Sequence, residues 1–234
     1  MVGRVRVAVY ATLVAATLVG ARAWSLETVA AAFNFPADRV WMHRRDHSDL
    51  AIEAVAKGFE GIELDIFLVD GALRVAHDEG ELPASQSLVQ YLDALDKAGA
   101  KPHLWLDLKN LSFRNETDVR NRLLELIDTH DLADRLLVES PNPLRMFRLC
   151  QGIIRCSVWV QHSDSIMLRN WARIMVRSLA HSANLAAISI DYRLSDNAWR
   201  IVPDGFPVLL YTFPAGSDLS HYLSDQKFRI LLTD

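Results

Sequence analysis

Two carboxylates, one residue apart in an aliphatic run, are the first residues that ask for chemistry. In Ile62-Glu63-Leu64-Asp65-Ile66, the two-residue period of a strand puts Glu63 and Asp65 on one face and the aliphatic side chains on the other. Neighbouring carboxylates repel, and burying them is costly unless something neutralises them. One divalent cation would do so, and oxygen donors suit Mg²⁺ or Ca²⁺; a structural pairing with arginine or lysine is the plainer alternative. Trp105-Leu106-Asp107-Leu108-Lys109 repeats the arrangement. Asp107 offers a third carboxylate, and Lys109, on the same face, can hold a phosphate oxygen or simply pair with Asp107. His43 and His77 bracket the first carboxylates. Cleaving a phosphodiester needs a proton taken from the attacking oxygen and one given to the leaving oxygen, and two near-neutral histidines suit those opposite tasks. Taken singly, each would be an ordinary hydrogen-bonding histidine. No role follows for the other histidines, and His130 and His181 are expected on or beside outer helices.

Strands and helices in alternation must position these groups. Val40–His43 is the first strand, followed by a helix over Leu50–Lys57 and a second strand over Gly61–Leu68. Asp70-Gly71 then turns the chain into an extra hairpin arm, Leu73–Ala76. Ser85–Ala98 is helical by its period, with Leu88, Leu92 and Leu95 on one stripe. His103–Leu108 is the third strand, and Asp118–Asp128 is a helix with Val119, Leu123, Leu124 and Ile127 facing in. Leu136–Glu139, Ser157–Val160, Ala187–Asp191, Val208–Phe213 and Arg229–Thr233 complete the strands. Between them lie helical segments near Pro143–Gln151, Met167–Ser182, Asp196–Ile201 and Leu219–Ser224. Alternating βα units build a parallel sheet. No glycine-rich turn follows the first strand, so the open dinucleotide-binding sheet lacks its main support. The pattern favours a (β/α)₈ TIM barrel, with Asp107 and Lys109 at a C-terminal strand end, where barrel sites are built. Asp234 directly follows the eighth strand, so Leu26–Phe33 is expected to pack as a helix near strands one and eight, in place of a last one.

The chain has 234 residues, half of them hydrophobic and 23% charged, which suits one globular domain. A net charge of −4 argues against a nucleic-acid partner. The first residues stand apart. Arg4 and Arg6 precede an apolar run over Val7–Gly20, and Ala21-Arg22-Ala23 has the small-x-small pattern of a cleavage site. Residues 1–23 therefore read as an export leader, cleaved or kept as an anchor, and residues 24–234 as a single domain, exported to a periplasm or secreted. Export permits a disulfide. Cys150 and Cys156 could pair, or both could be small core residues, because spacing does not fix the Cα separation that a bridge needs.

In order, His43-Arg44, Glu63-x-Asp65 and His77-Asp78 resemble the signature of the glycerophosphodiester phosphodiesterase family. The helix between the first two, the Asp70-Gly71 turn, Tyr211-Thr212 and the closing Thr233-Asp234 also sit where that family has similar features. The likeness spans residues 39–234, densest over 39–109. It implies the barrel fold, Mg²⁺ or Ca²⁺ held by Glu63, Asp65 and Asp107, and proton exchange by His43 as base or nucleophile and His77 as acid. It further implies that Arg44 and Lys109 neutralise the phosphate and that Tyr211 lines the head-group side. The chain departs from the family at Arg45, where a glycine is usual, and at Asp107, where a glutamate is usual. Asp107-x-Lys109 is closer to the spider-venom-type sphingomyelinase D branch. The short segment after His77 leaves no room for the small insertion domain of many bacterial members. The last two points weigh toward a lipid-like or choline-type phosphodiester over a free glycerophosphodiester, both classes and contact with a membrane surface staying open; a monomer is expected.

Two other classes are open to test. Lys109 could form a Schiff base, as in barrel aldolases, but that leaves both histidines and Glu63 without a joint purpose. A non-catalytic binding module would have little reason to keep the complete set.

Overall fold

The computed structural model describes residues 33–160, 185–197 and 205–234, together with residues 174, 176, 202 and 203. Residues 1–23, expected as a leader, and most of the Leu26–Phe33 segment lie outside the described residues, as does the segment expected as a helix over Met167–Ser182 apart from residues 174 and 176. The strands are β1 (Val40–Met42), β2 (Gly61–Val69), β3 (Ala72–Val75), β4 (His103–Leu108), β5 (Leu136–Glu139), β6 (Arg155–Val160), β7 (Leu185–Asp191), β8 (Val208–Phe213) and β9 (Phe228–Thr233). β1 pairs in parallel with both β2 and β9, which closes the parallel strands into a barrel. Among the described strands, only β3 stays outside the ring, antiparallel to β2. The connecting hairpin has Asp70 at φ 49° and Gly71 at φ 76°, the pair of left-handed residues that a tight two-residue turn requires.

The helices are α1 (Ser48–Ala56), α2 (Leu88–Lys97), α3 (Glu116–Thr129), α4 (Pro143–Leu149) and α5 (Ser220–Ser224). α2 starts three residues later than its period suggests, because Ser87 and Gln90 form a reciprocal capping box that satisfies free N–H groups at its N-terminus. In α3 the buried stripe is Val119, Leu123, Leu126 and Ile127, while Leu124 is only partly buried. The segment expected as a helix from Asp196 is 3₁₀ over Tyr192–Asn197, and its remainder lies outside the described residues. His130 caps the C-terminus of α3, beside an outer helix as expected, and is buried, with Nδ1 2.6 Å from Asp96 Oδ2. No helix among the described residues is long and apolar enough to cross a membrane.

Strand alternation sorts two apolar regions. Ile62, Leu64 and Ile66 face outward and join the larger core beneath α1, α2 and α3. Trp41, Trp105, Leu137, Leu209, Ile230 and Leu232 fill the lower barrel interior, with Phe33 and Phe35 packed against them. Gly61 makes this floor possible, since a Cβ there would sit 2.1 Å from the Trp41 ring. Cys150 and Cys156 form a disulfide, with Cα atoms 5.8 Å apart, which ties the end of α4 to β6.

Candidate active site

Above the aromatic floor the interior turns polar, because the strand residues that continue its parity are charged. Asp65 on β2 is level with Asp107 on β4, and Asp107 with Glu139 on β5. Glu63, Asp65 and Asp107 each offer a carboxylate oxygen within 4.8 Å of the others. Lys109 lies just beyond β4 and places Nζ 2.6 Å from Asp65 Oδ1 and 2.5 Å from Asp107 Oδ2. Burial works against its charge, but Asp107 and Asp65 outweigh burial and hold its pKa above the ordinary value. An ammonium held this firmly is a poor nucleophile, which disfavours the Schiff-base reading.

Each histidine has one ring nitrogen committed to a carboxylate. His43 Nδ1 is 2.7 Å from Asp234 Oδ1, and His77 Nδ1 is 2.5 Å from Asp65 Oδ2. A carboxylate at Nδ1 fixes the tautomer and leaves Nε2 for chemistry. His43 Nε2 points toward Glu63, 3.8 Å from Oε2. Burial lowers the His43 pKa, against the opposing hydrogen bond and charge of Asp234, so its ring is neutral at neutral pH and able to accept a proton.

The loop after β1 carries Arg44 in the left-handed region at φ 51°, unusual for a residue with a Cβ. Its N–H donates to Glu63 Oε2 at 2.9 Å, and the next N–H, of Arg45, donates to the Glu63 carbonyl at 2.9 Å. The buried Tyr91 hydroxyl donates to the Arg45 carbonyl at 2.6 Å. Arg45 itself has no positive φ, so its backbone does not require glycine there. The Arg44 side chain is 41% exposed, with Nε 3.9 Å from Asp46 Oδ2, free enough to meet an anion entering the barrel. Tyr211 stands on the opposite wall. Its hydroxyl donates to the Val160 carbonyl at 2.9 Å and accepts from Trp159 Nε1, so it offers a substrate its ring rather than its oxygen.

Three contributors had no role in the sequence reading. Asp46 accepts from the Asp65 N–H at 2.9 Å and groups with Asp65 and His77; burial, then the charge of Asp65, pushes its pKa up to about 6. Asp234 orients His43. Glu139 is buried beside Asp107, with Oε2 accepting from Ser157 Oγ at 2.6 Å and from Ser189 Oγ. Burial and then Asp107 push its pKa up to about 8, with the two serines opposing. Glu139 and Asp234 continue the inward parity of Leu137 and Leu232, a signal present in the sequence. Asp46 sits in a loop and has none.

The architecture has known counterparts. A glycerophosphodiester phosphodiesterase from Parabacteroides distasonis superposes with a TM-score of 0.59 at 18% identity, over 85% of this chain and 94% of that one. An Oleispira antarctica phosphodiesterase, solved with the product sn-glycerol-3-phosphate, gives 0.57 at 17% identity over 84% and 92%. A calcium-dependent phosphoinositol-specific phospholipase C from Pseudomonas sp. gives 0.55 at 12% identity over 83% and 88%. This chain shares their fold. No protein-family model matches the sequence, and no curated protein matches it.

The donor set fits a divalent cation. Among the described residues, Asp107 Oδ1 is buried without a hydrogen-bond partner. Burial, then repulsion from Asp65 and Asp107, raises the Glu63 pKa well above the carboxylate range. Lys109 brings one ammonium to these three carboxylates, so without a cation their repulsion is relieved by holding protons. A hard cation held by Glu63, Asp65 and Asp107 would satisfy the orphaned oxygen and take the place of those protons.

Proposed function

We propose that this barrel hydrolyses a phosphodiester by two-histidine acid–base catalysis beside a divalent cation, Mg²⁺ or Ca²⁺. The observation that carries the reading is the pair of histidines, each tied through Nδ1 to a carboxylate, flanking Glu63, Asp65 and Asp107. When bound, the cation would polarise the phosphoryl oxygen. The chain's own groups supply the rest. His43 Nε2 takes the proton from the attacking oxygen, either water or an adjacent substrate hydroxyl, as that oxygen bonds to phosphorus. His77 gives a proton to the leaving oxygen as its bond to phosphorus breaks. Lys109 and Arg44 offset the charge that builds on the phosphoryl oxygens, and the Tyr211 ring lines the head-group side.

Two substrate classes fit. The resemblance of His43-Arg44, Glu63-x-Asp65 and His77-Asp78 favours a small glycerophosphodiester, while Asp107-x-Lys109 favours a lipid-like diester of the sphingomyelinase D or lysophospholipase D kind. A barrel that binds without turnover would keep the charge cluster but need no pair of oriented histidines. Replacing either His43 or His77 with Ala should lower kcat by roughly 10²-fold or more on a diester with an alkoxide leaving group. A p-nitrophenyl ester leaves without protonation, so it should rescue His77→Ala and not His43→Ala. Near-normal rates in both variants on the alkyl diester would defeat the mechanism.

A further inference from the structure

The loops that rim the candidate site carry a feature the reaction does not use. Phe113 and Arg114 lie between β4 and α3, and Leu144 and Arg145 open α4 just after β5. Both segments follow the strand ends that bear Asp107 and Glu139, so they stand on the barrel face where substrate enters. Asn142 Nδ2 donates to the Leu111 carbonyl at 3.2 Å, which joins the two segments. Phe113 is 66% exposed and Leu144 57%, the most open large hydrophobic side chains among the described residues.

A solitary exposed apolar side chain is ordinary. Here cations surround it. The Arg114 and Arg145 guanidinium carbons lie 5.5 and 6.0 Å from the Phe113 ring centroid, within reach of its π face. Arg145 and Arg148 approach the single buried carboxylate of Glu116 at 3.6 and 2.8 Å. Arg114 makes no ion pair with a described residue, so in this sector three arginines outnumber the two acidic residues beside them, Glu116 and Asp118, while the protein's net charge is −4. Apolar tips backed by arginines match the chemistry of an anionic bilayer surface. Phe and Leu side chains enter the headgroup–acyl boundary, and guanidinium groups meet the lipid phosphates.

We propose that this rim, Phe113 and Leu144 with Arg114, Arg145 and Arg148, docks the barrel mouth onto an anionic lipid surface. Docking would present a lipid-embedded diester to the site; that benefit rests on the phosphodiesterase reading, whereas the docking itself does not. The test uses the full chain carrying Leu144→Cys, labelled with an environment-sensitive fluorophore, and a control labelled at Lys97→Cys. Lys97 is also exposed and closes α2 shortly before β4 begins, which puts it at the barrel end opposite the mouth. The vesicles are phosphatidylcholine alone, or with about one third phosphatidylglycerol, the local probe making the readout independent of any contribution from the N-terminal segment. The expected result is a blue shift at position 144 only, requiring the anionic lipid, weakened by salt, and reached at roughly tenfold more lipid when Phe113→Ala is added. Hydrolysis of a soluble diester should be unchanged by Phe113→Ala. A silent probe at 144, equal shifts at 144 and 97, or an equal response to uncharged vesicles would overturn the proposal. So would a dimer lost in Phe113→Ala without any vesicle response. Absence of hydrolysis in every assay would count against the phosphodiesterase reading and leave the vesicle result to stand on its own.

Discussion

Replacing Glu139 with Gln should remove a large part of the pH dependence of stability. The carboxyl is fully enclosed by the barrel, and its pKa is about 8 against an ordinary 4.5. Between those values the folded state holds a proton that the unfolded chain has released. Stability therefore falls as pH rises through that window, and is unaffected by this group below about 4.5. Moving one proton equilibrium from 4.5 to about 8 corresponds to at most about 5 kcal/mol. Gln keeps an oxygen that can accept from Ser157 and Ser189, so hydrogen bonding changes little while the titration disappears. Urea unfolding from pH 5 to pH 9 in chelator should show wild type losing a few kcal/mol relative to Glu139→Gln as pH rises. Saturating Ca²⁺ should shrink that difference, because a cation beside Asp107 favours the charged carboxylate. Parallel profiles for the two proteins in chelator would refute the assignment of a buried, protonated Glu139.

The barrel floor and the α4–β6 link give further tests. Gly61→Ala places a Cβ 2.1 Å from the Trp41 ring and should destabilise by about 2–3 kcal/mol or more, read as a lowered Tm, since the indole has no room to retreat. Replacing Cys150 and Cys156 with Ser opens a short loop, sequence separation 6, and should lower stability by about 2 kcal/mol while leaving turnover near normal. His130→Ala removes a buried ring bonded to Asp96 and should lower stability by about 1–3 kcal/mol without touching kcat.

Much of this architecture was legible in the sequence because barrel strands are short and alternate cleanly. Ile62 to Ile66 sorts its carboxylates inward and its aliphatics outward by parity alone, and the Asp70-Gly71 turn announces the β3 arm. What escaped depends on contacts between distant segments. Asp46 reaches Asp65 through a loop conformation that no period encodes. Glu139 follows the right parity, but a single carboxylate at a strand end looks the same whether it is solvated or enclosed by Ser157 and Ser189. His130 does lie at the end of an outer helix, but its burial could not be read because its partner Asp96 lies on another helix. Whether Cys150 and Cys156 pair was open until their Cα separation was known.

The central claim is hydrolysis at a carboxylate-held cation, and its most direct test is turnover of bis(p-nitrophenyl) phosphate with the metal under control. Protein stripped with EDTA should be inactive and should recover on titration with Mg²⁺ or Ca²⁺. Glu63→Gln and Asp107→Asn should need far more metal or stay inactive, while calorimetry shows their cation binding weakened in step. Full turnover after exhaustive chelation, or unaltered cation binding in both variants, would contradict the account.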